Sequence, residues 1–383
     1  MNYLSQQNPE IVNGKRVIVR VDFNVPVEVS AGQAGNGVVS ESEAFRIHAV
    51  VPTITWLQHA GAKIILISHI GRLGDSLQPV ADYLKKYVPE LDVQFIPYSV
   101  GEWVQKTISD LQNGEILLLE NIRQHSAEEL NDPEFAKKLA SYADYYVNDA
   151  FAVSHREHAS IVGIPAMLER DHCFVGLLFE KEIQNLNRAL QPQSPSVLIM
   201  AGIKFETKLP LIEKLLPLYD VVLLGGGLLN TYLKASHISV GTSVVDDSAN
   251  LSRIIGNTNI IIPEHVVVER KGSACTILTS HIQDNDIIVD VVISNHVKEL
   301  LSRAATVVWN GPLGWYEKGY MKSSQDIIKS FGPETKSIVG GGDTVTVVNK
   351  LGLEHHISFI SSGGGAMLEY LKGCTIIGIL TLK

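Results

Sequence analysis

The sequence predicts an α/β protein of two doubly wound parallel-sheet domains joined by a hinge helix. Three observations carry this expectation. Short apolar, β-branched runs alternate with amphipathic segments along the chain, the pattern of strands buried on both faces beneath crossover helices. The runs are too many for one sheet, and 383 residues exceed one ordinary core. Near the middle, the helical stretch 176–190 (G-L-L-F-E-K-E-I-Q-N-L-N-R-A-L) precedes a Pro/Ser/Gln-rich spacer, a natural connector between two halves.

In order, the first half offers strands at 16–23, 63–69, 116–121 and 145–149, and the second half at 196–202, 221–227, 259–263, 306–311, 336–341 and 357–362. Between them, D-P-E-F-A-K-K-L-A-S-Y-A reads as a helix. Asp132 is its N-cap, Pro133 its first residue, and Phe135, Leu139 and Tyr142 share its apolar face. The Gly/Ala/Ser-rich stretch 29–44 reads as a long flexible loop.

Composition excludes several classes. Lys plus Arg number 32 against 41 Asp plus Glu, a net charge of −9, so nucleic acid and membrane surfaces are not expected partners and an anionic ligand needs a local basic cluster. Cys173, Cys275 and Cys374 are far apart without metal-ligand spacing, which points to reduced thiols in a cytoplasmic protein. No apolar run reaches the roughly 18 residues of a membrane span, and the polar first ten residues do not read as a signal peptide.

Ligands of open parallel sheets bind beyond the carboxyl ends of the strands, and here those ends turn polar. The first half supplies Arg20, Asp22, Asn24, His69, Arg72, Glu120, Arg123, His125, Asn148 and Asp149, followed by His155, Arg156 and His158. The second supplies Gly202, Lys204, Gly225 to Gly227, Asn310, Gly311, Gly340 to Asp343 and Gly363 to Gly365. A basic rim of Arg20, Arg46, Arg72, Arg123 and Arg156 suits a small anion with phosphate and carboxylate groups, which guanidinium forks grip bidentately. Glycines let a nucleotide approach backbone N–H groups. Each feature also has a plain structural reading: ion-paired arginines, flexible turns, hydrogen-bonded histidines. A dinucleotide fingerprint and the protein-kinase signatures are absent. The stretch V-G-G-G-D-T (339–344) lacks a P-loop lysine, and Asp343 is either a metal ligand or a helix N-cap.

Seven segments together resemble the phosphoglycerate kinase family, in order and over almost the whole chain. They are R-V-D-F-N-V-P (20–26), S-H-I-G-R (68–72), L-L-L-E-N-I-R (117–123), Y-V-N-D-A-F-A-V-S-H-R-E-H-A-S (146–160), W-N-G-P-L-G (309–314), G-G-G-D-T (340–344) and S-S-G-G-G-A (361–366). The resemblance implies two Rossmann-like domains in a monomeric hinge-bending enzyme. It would transfer phosphate between 1,3-bisphosphoglycerate and ADP, giving 3-phosphoglycerate and ATP with Mg2+. It implies substrate residues Asp22, Asn24, Arg46, His69, Arg72, Arg123 and Arg156. Its nucleotide residues are Gly202, Lys204, Lys208, Asn310, Glu317, Gly340, Gly341, Gly342, Asp343, Thr344 and Gly364. The resemblance further implies that Arg46, Lys204, Gly341 and Gly364 surround the transferred group and that Asp343 is the metal ligand. The expected division is 1–175 plus 371–383, a hinge at 176–190, and 191–370. A carboxylate or phosphate acceptor is already ionised, so transfer needs positioning and positive charge and no general base.

The chain departs from the family pattern beside the nucleotide. A-G-I-K-F-E-T-K (201–208) keeps both lysines but is bulkier, D-V-V-I (290–293) replaces a Gly-Pro turn, and Trp315 replaces a valine. Gln124 interrupts an Arg-Phe-His pattern. The loop before Arg46 is long and the one after Arg72 short. An active, slower enzyme is expected; the alternatives are a binding protein without useful turnover and a kinase for another carboxylate.

Overall fold

The computed structural model describes residues 1–28, 37–40, 44–71, 74–203 and 205–383. Arg72 and Lys204 lie outside the described residues, as does most of the expected loop at 29–44. Within that loop the described part is not all irregular, because Val38–Val39 pairs antiparallel with Val27–Glu28. The chain divides into two compact units, Met1–Ile183 with Thr375–Lys383, and Gln184–Cys374.

The first unit is built on a six-stranded parallel sheet ordered Val93–Ile96, Ile116–Leu119, Lys63–Ile67, Arg16–Arg20, Tyr145–Asn148, Cys173–Val175. Its central strands bury Val17–Val19 and Ile64–Ile67 completely, on both faces, as crossover connections require. Arg20 pairs in register with Ile67 on one side and Asn148 on the other, so the residues following all three strands emerge at one edge. The helix Pro133–Ala140 is capped as its sequence predicts, Asp132 Oδ1 accepting from the Phe135 N–H at 2.8 Å.

The second unit carries a parallel sheet ordered Ile260–Ile261, Val221–Leu224, Ser196–Met200, Thr306–Asn310, Lys336–Gly340, Phe359–Ile360. Asn310 sits in register with Met200 and Gly340, which aligns three glycine-bearing loops. Both sheets bear out the doubly wound parallel class. A second sheet, His265–Arg270 between Ser273–Leu278 and Ile287–Val291, is antiparallel and was not expected. Its outer strand Ser273–Leu278 is mixed and half-exposed, while Ile287–Val291 is an apolar run interrupted by Asp290. The tight turn marks the hairpin: Lys271 and Gly272 have φ of 50° and 78°, the paired positive values of a two-residue hairpin.

The ten expected strands all occur, but shorter, because the polar residues at their carboxyl ends belong to the loops. Val93–Ile96 and the three-residue Cys173–Val175 are additions at the sheet's edges. The helix Leu177–Leu190 begins in the first unit and ends in the second. Its first turn is satisfied by Thr53 Oγ1, accepting from Leu177 N–H at 3.0 Å, and Asp149 Oδ1, accepting from Phe179 N–H at 2.9 Å. A Cβ on Gly176 would stand 2.3 Å from that carboxylate, which explains the glycine. No helix among the described residues is long and apolar enough to cross a membrane, and the three cysteines are free thiols.

Candidate functional site

At the carboxyl edge of the first sheet, the loops are tied to one another before any ligand is considered. Ser68 Oγ accepts from Phe23 N–H and donates to the Val21 carbonyl. Asn24 Oδ1 accepts from Gly71 N–H at 2.9 Å. Asn121 Nδ2 donates to the Ile70 and Asp75 carbonyls, and Glu120 accepts from Ser76 Oγ and from the Leu77 and Asn121 N–H groups. Glu120 is therefore a loop anchor, a role its place at a strand end does not distinguish from ligand binding.

On this scaffold stand Asp22, Arg46, His69, Arg123 and Arg156. Arg46, in the first turn of Phe45–His59, donates through Nη1 to Asp22 Oδ2 at 2.5 Å. Arg156 is exposed; its charge, with those of Arg20 and Arg123, bears on both His69 and His158. Burial first, and then the arginines, hold His69 well below its ordinary pKa and push His158 down to about 4, so both rings are neutral near pH 7. Arg123 is also lowered, by burial and then by Arg20. Among the described residues its Nε and Nη2 are buried without a hydrogen-bond partner, although Glu129 Oε1 lies 3.4 Å from Nε.

Arg20 corrects the expectation of a rim formed by all these arginines. It is fully buried, behind the edge, because its three nitrogens are taken up by Ser160, the Val21 carbonyl and His69. His125 likewise faces inward, Nε2 against Ser99 Oγ at 3.0 Å. Glu128 and Ser160 complete the buried network, and sequence reading missed them. Neither lies at a strand end, and a glutamate in a polar run gives no sign that it is fully buried.

In the second unit the glycine loops pack backbone to backbone. Gly311 has φ of 99°, and a Cβ there would lie 2.0 Å from the Ala201 carbonyl oxygen, so only glycine lets these loops meet. Gly226 N–H donates to Leu313 O, and Leu228 N–H to Gly202 O. Asn310 Nδ2 donates to Gly340 O at 2.9 Å, and Thr344 Oγ1 accepts from Gly311 N–H at 2.7 Å. These two side chains thus shape the loops. Lys208 is buried with Nζ donating to the Ala201 carbonyl, beside Gly202 and Gly311. Gly364, with φ of 49°, precedes the helix Gly365–Lys372 as Gly341 precedes Gly342–Leu351.

Beside these loops opens a cavity of about 340 Å3. Of the expected nucleotide residues, Gly202, Lys208, Glu317 and Asp343 line it; Gly340, Gly341, Gly342, Asn310, Thr344 and Gly364 do not. Its apolar walls include Ile203, Val244, Ile288, Leu313 and Trp315, with Gly202, Lys208, Glu317 and Asp343 as polar neighbours, the mostly apolar lining with a few polar groups usual for a small-molecule site. Val244 and Ile288 went unrecognised because they follow no strand end of the parallel sheet. The N-cap of Gly342–Leu351 is Gly341, with no side-chain cap. Asp343 Oδ1 instead accepts from the Tyr316 hydroxyl at 3.2 Å. Burial and then the Asp343 and Glu317 carboxylates push that phenol up to about 12, so it stays a donor. A hard oxygen ligand opening on a cavity beside glycine N–H groups fits magnesium, which keeps most of its water and takes one or two carboxylates along with substrate phosphates.

Two α/β units, one with an anion-seeking basic cluster and the other with a glycine-rimmed apolar cavity, define a phosphotransferase of the two-domain kinase type. The chain matches the family model "Phosphoglycerate kinase" over residues 8–374. It is 39% identical to the phosphoglycerate kinase of Dictyoglomus turgidum over 397 aligned positions, covering 98% of this chain and 97% of the relative. Identity to that of Synechococcus elongatus is also 39%, covering 97% and 96%. The solved phosphoglycerate kinase of Coxiella burnetii superposes with a TM-score of 0.81 at 31% identity, over 99% of this chain and 98% of that one. The chain belongs to the phosphoglycerate kinase family.

Proposed function

We propose that this protein transfers a phosphoryl group reversibly between 1,3-bisphosphoglycerate and ADP, giving 3-phosphoglycerate and ATP. The observation that carries the reading is Arg123: among the described residues two of its guanidinium nitrogens are buried without a hydrogen bond, beside the charges of Arg20 and Arg156 and with Glu129 3.4 Å from Nε, a site that an anionic ligand would complete. In this reading Asp22, Asn24, Arg46, His69, Arg72, Arg123 and Arg156 hold 3-phosphoglycerate. Gly202, Lys208 and Glu317 seat the nucleotide, while Asn310 and Thr344 keep its loops in place. Gly340 to Gly342 and Gly364 offer backbone N–H groups to phosphate.

The moving phosphoryl group carries developing negative charge through a loose transition state, so catalysis is positioning and charge neutralisation. Arg46 and Lys204 supply that charge, with Gly341 and Gly364 donating beside it. Asp343 would hold magnesium, which when bound neutralises charge on the nucleotide phosphates. We further propose that the protein is a cytoplasmic monomer. Residues 1–175 with 371–383 and residues 191–370 act as domains hinged about 176–190, so that closure excludes water from an acyl phosphate prone to hydrolysis.

A coupled assay with Mg-ATP and 3-phosphoglycerate tests the reading. Turnover is expected, and none above a Lys204→Ala control at saturating substrates would overturn it. Transfer to acetate or aspartate without transfer to 3-phosphoglycerate would assign the fold to another carboxylate.

A further inference from the structure

The buried network behind the basic cluster has a direction that can be read donor by donor. Arginine keeps its proton, so every Arg20 nitrogen donates. Arg20 Nη2 lies 3.1 Å from His69 Nδ1, which must then present a lone pair. A neutral ring in that state carries its proton on Nε2, the nitrogen without a partner among the described residues. Asp22 Oδ1 stands 3.8 Å from the same Nδ1, beyond hydrogen-bond distance, so it does not draw a proton onto that nitrogen, and burial followed by the charges of Arg20, Arg123, Arg156 and Arg46 disfavours an imidazolium.

The remaining contacts orient Arg20. Its Nε donates to Ser160 Oγ at 2.8 Å, which obliges the Ser160 hydroxyl to donate elsewhere. It donates to Glu128 Oε1 at 2.5 Å, and Glu128 Oε2 takes the Ser160 N–H at 2.9 Å. Tyr146 fixes the segment further, its hydroxyl donating to the Ser160 carbonyl at 2.7 Å. Glu128 is fully buried, so a buried acid and a buried guanidinium face one another through a single hydroxyl.

We propose that Glu128, Ser160 and Arg20 form a directed relay whose role is to hold His69 in the Nε2-protonated tautomer, so that the ring offers a donor to the phosphate-bearing substrate. The three are positioning residues, and the proposal rests on the reading of His69 as a substrate contact. An Nδ1-protonated ring would turn an acceptor toward an anion, which is the wrong sign.

Long-range 1H–15N spectra of the histidines in the ligand-free protein at neutral pH test this, with His69 assigned by its loss in His69→Gln. The expected signature is a protonated Nε2 and a bare Nδ1; an Nδ1-protonated ring or an imidazolium overturns the relay. Ser160→Ala and Glu128→Gln should each give a mixed tautomer and raise the KM for 3-phosphoglycerate about tenfold, leaving the nucleotide KM unchanged. Folded variants that keep a pure Nε2-protonated His69 and an unchanged KM also overturn it. The wild-type spectrum needs neither a variant nor turnover, so failure of the relay and failure of the kinase reading are distinguishable.

Discussion

The Arg46 guanidinium is held by the Asp22 carboxylate, Nη1 to Oδ2 at 2.5 Å, with the acid 5% and the base 23% exposed. The pair keeps an arginine at the edge of the first sheet without leaving its charge unsatisfied. In the proposed reaction Arg46 turns from this carboxylate toward the moving phosphoryl group. Arg46→Lys keeps the charge but not the planar fork, so kcat should fall by about 100-fold to 1,000-fold while the nucleotide KM stays within about twofold. Steady-state kinetics with each substrate varied would show it. A kcat within about threefold of wild type would reduce Arg46 to a structural partner of Asp22.

Asp343 and Tyr316 make a separate prediction. The carboxylate caps no helix, and its oxygen is steadied by a phenol. Asp343→Asn should therefore abolish most of the gain in ADP affinity on adding magnesium, since a neutral amide oxygen lacks the carboxylate charge by which a protein holds this cation. Tyr316→Phe should reduce that gain about tenfold, the usual effect of losing a partner of a metal ligand. Calorimetric titration with ADP, with and without magnesium, separates the two effects. An unchanged magnesium increment in Asp343→Asn would return this acid to a structural role.

The legible part of this molecule is the part encoded locally. Parallel strands announce themselves as apolar runs, and the helix at Asp132–Pro133 by its cap, because each depends on neighbours within one turn or one strand. The residues just beyond strand ends were equally legible as a group, but their division between ligand and scaffold was not. Arg20 and Arg123 look alike in sequence; one is saturated by Ser160, Val21 and His69 and the other is left short, a difference made by contacts up to 140 positions away. The antiparallel sheet was missed because the apolar runs of its strands His265–Arg270 and Ile287–Val291 are short and cut by polar residues, and its third strand, Ser273–Leu278, is half-exposed and mixed. With it went the cavity wall at Ile288, which belongs to a strand of that sheet.

Asp149 should give stability a distinctive pH dependence. Burial lifts its carboxyl to about 7, and the Thr53 hydroxyl and the N–H groups of Phe179 and Leu178 oppose that shift without cancelling it. The native state thus holds a proton that the unfolded chain releases near pH 4. Between about pH 4 and pH 7 the unfolded state binds fewer protons, so this group's contribution to stability falls as pH rises, by at most about 1.4 kcal/mol per unit. Above pH 7 both states are ionised and the slope ends. Asp149→Asn retains an oxygen for Phe179 N–H but cannot titrate. The stability of wild type relative to this variant should decline across that window in urea unfolding followed at several pH values. A difference independent of pH would mean that Asp149 is ionised in the native protein at pH 5.

Gly311 allows the close approach of two loops to be separated from backbone strain. Gly311 and Gly319 have similar φ, 99° and 88°, in a region costly to residues with a Cβ. They differ in surroundings: an added Cβ meets the Ala201 carbonyl oxygen at 2.0 Å and Lys208 Nζ at 2.8 Å in the first, and nothing within 4 Å in the second. Gly319→Ala therefore reports strain alone, about 1–2 kcal/mol, with the ADP affinity unchanged. Gly311→Ala adds a clash with backbone, which relaxes only by moving the loop after Ser196–Met200 away from the loop after Thr306–Asn310. It should destabilise the protein by at least about 2 kcal/mol more than Gly319→Ala and weaken ADP binding, because Gly202 and Lys208 move with the displaced loop. Urea unfolding and ADP titration of the two variants side by side provide the comparison. Equal losses of stability with equal ADP affinities would show that the loops do not meet as closely as Gly311 and Ala201 require.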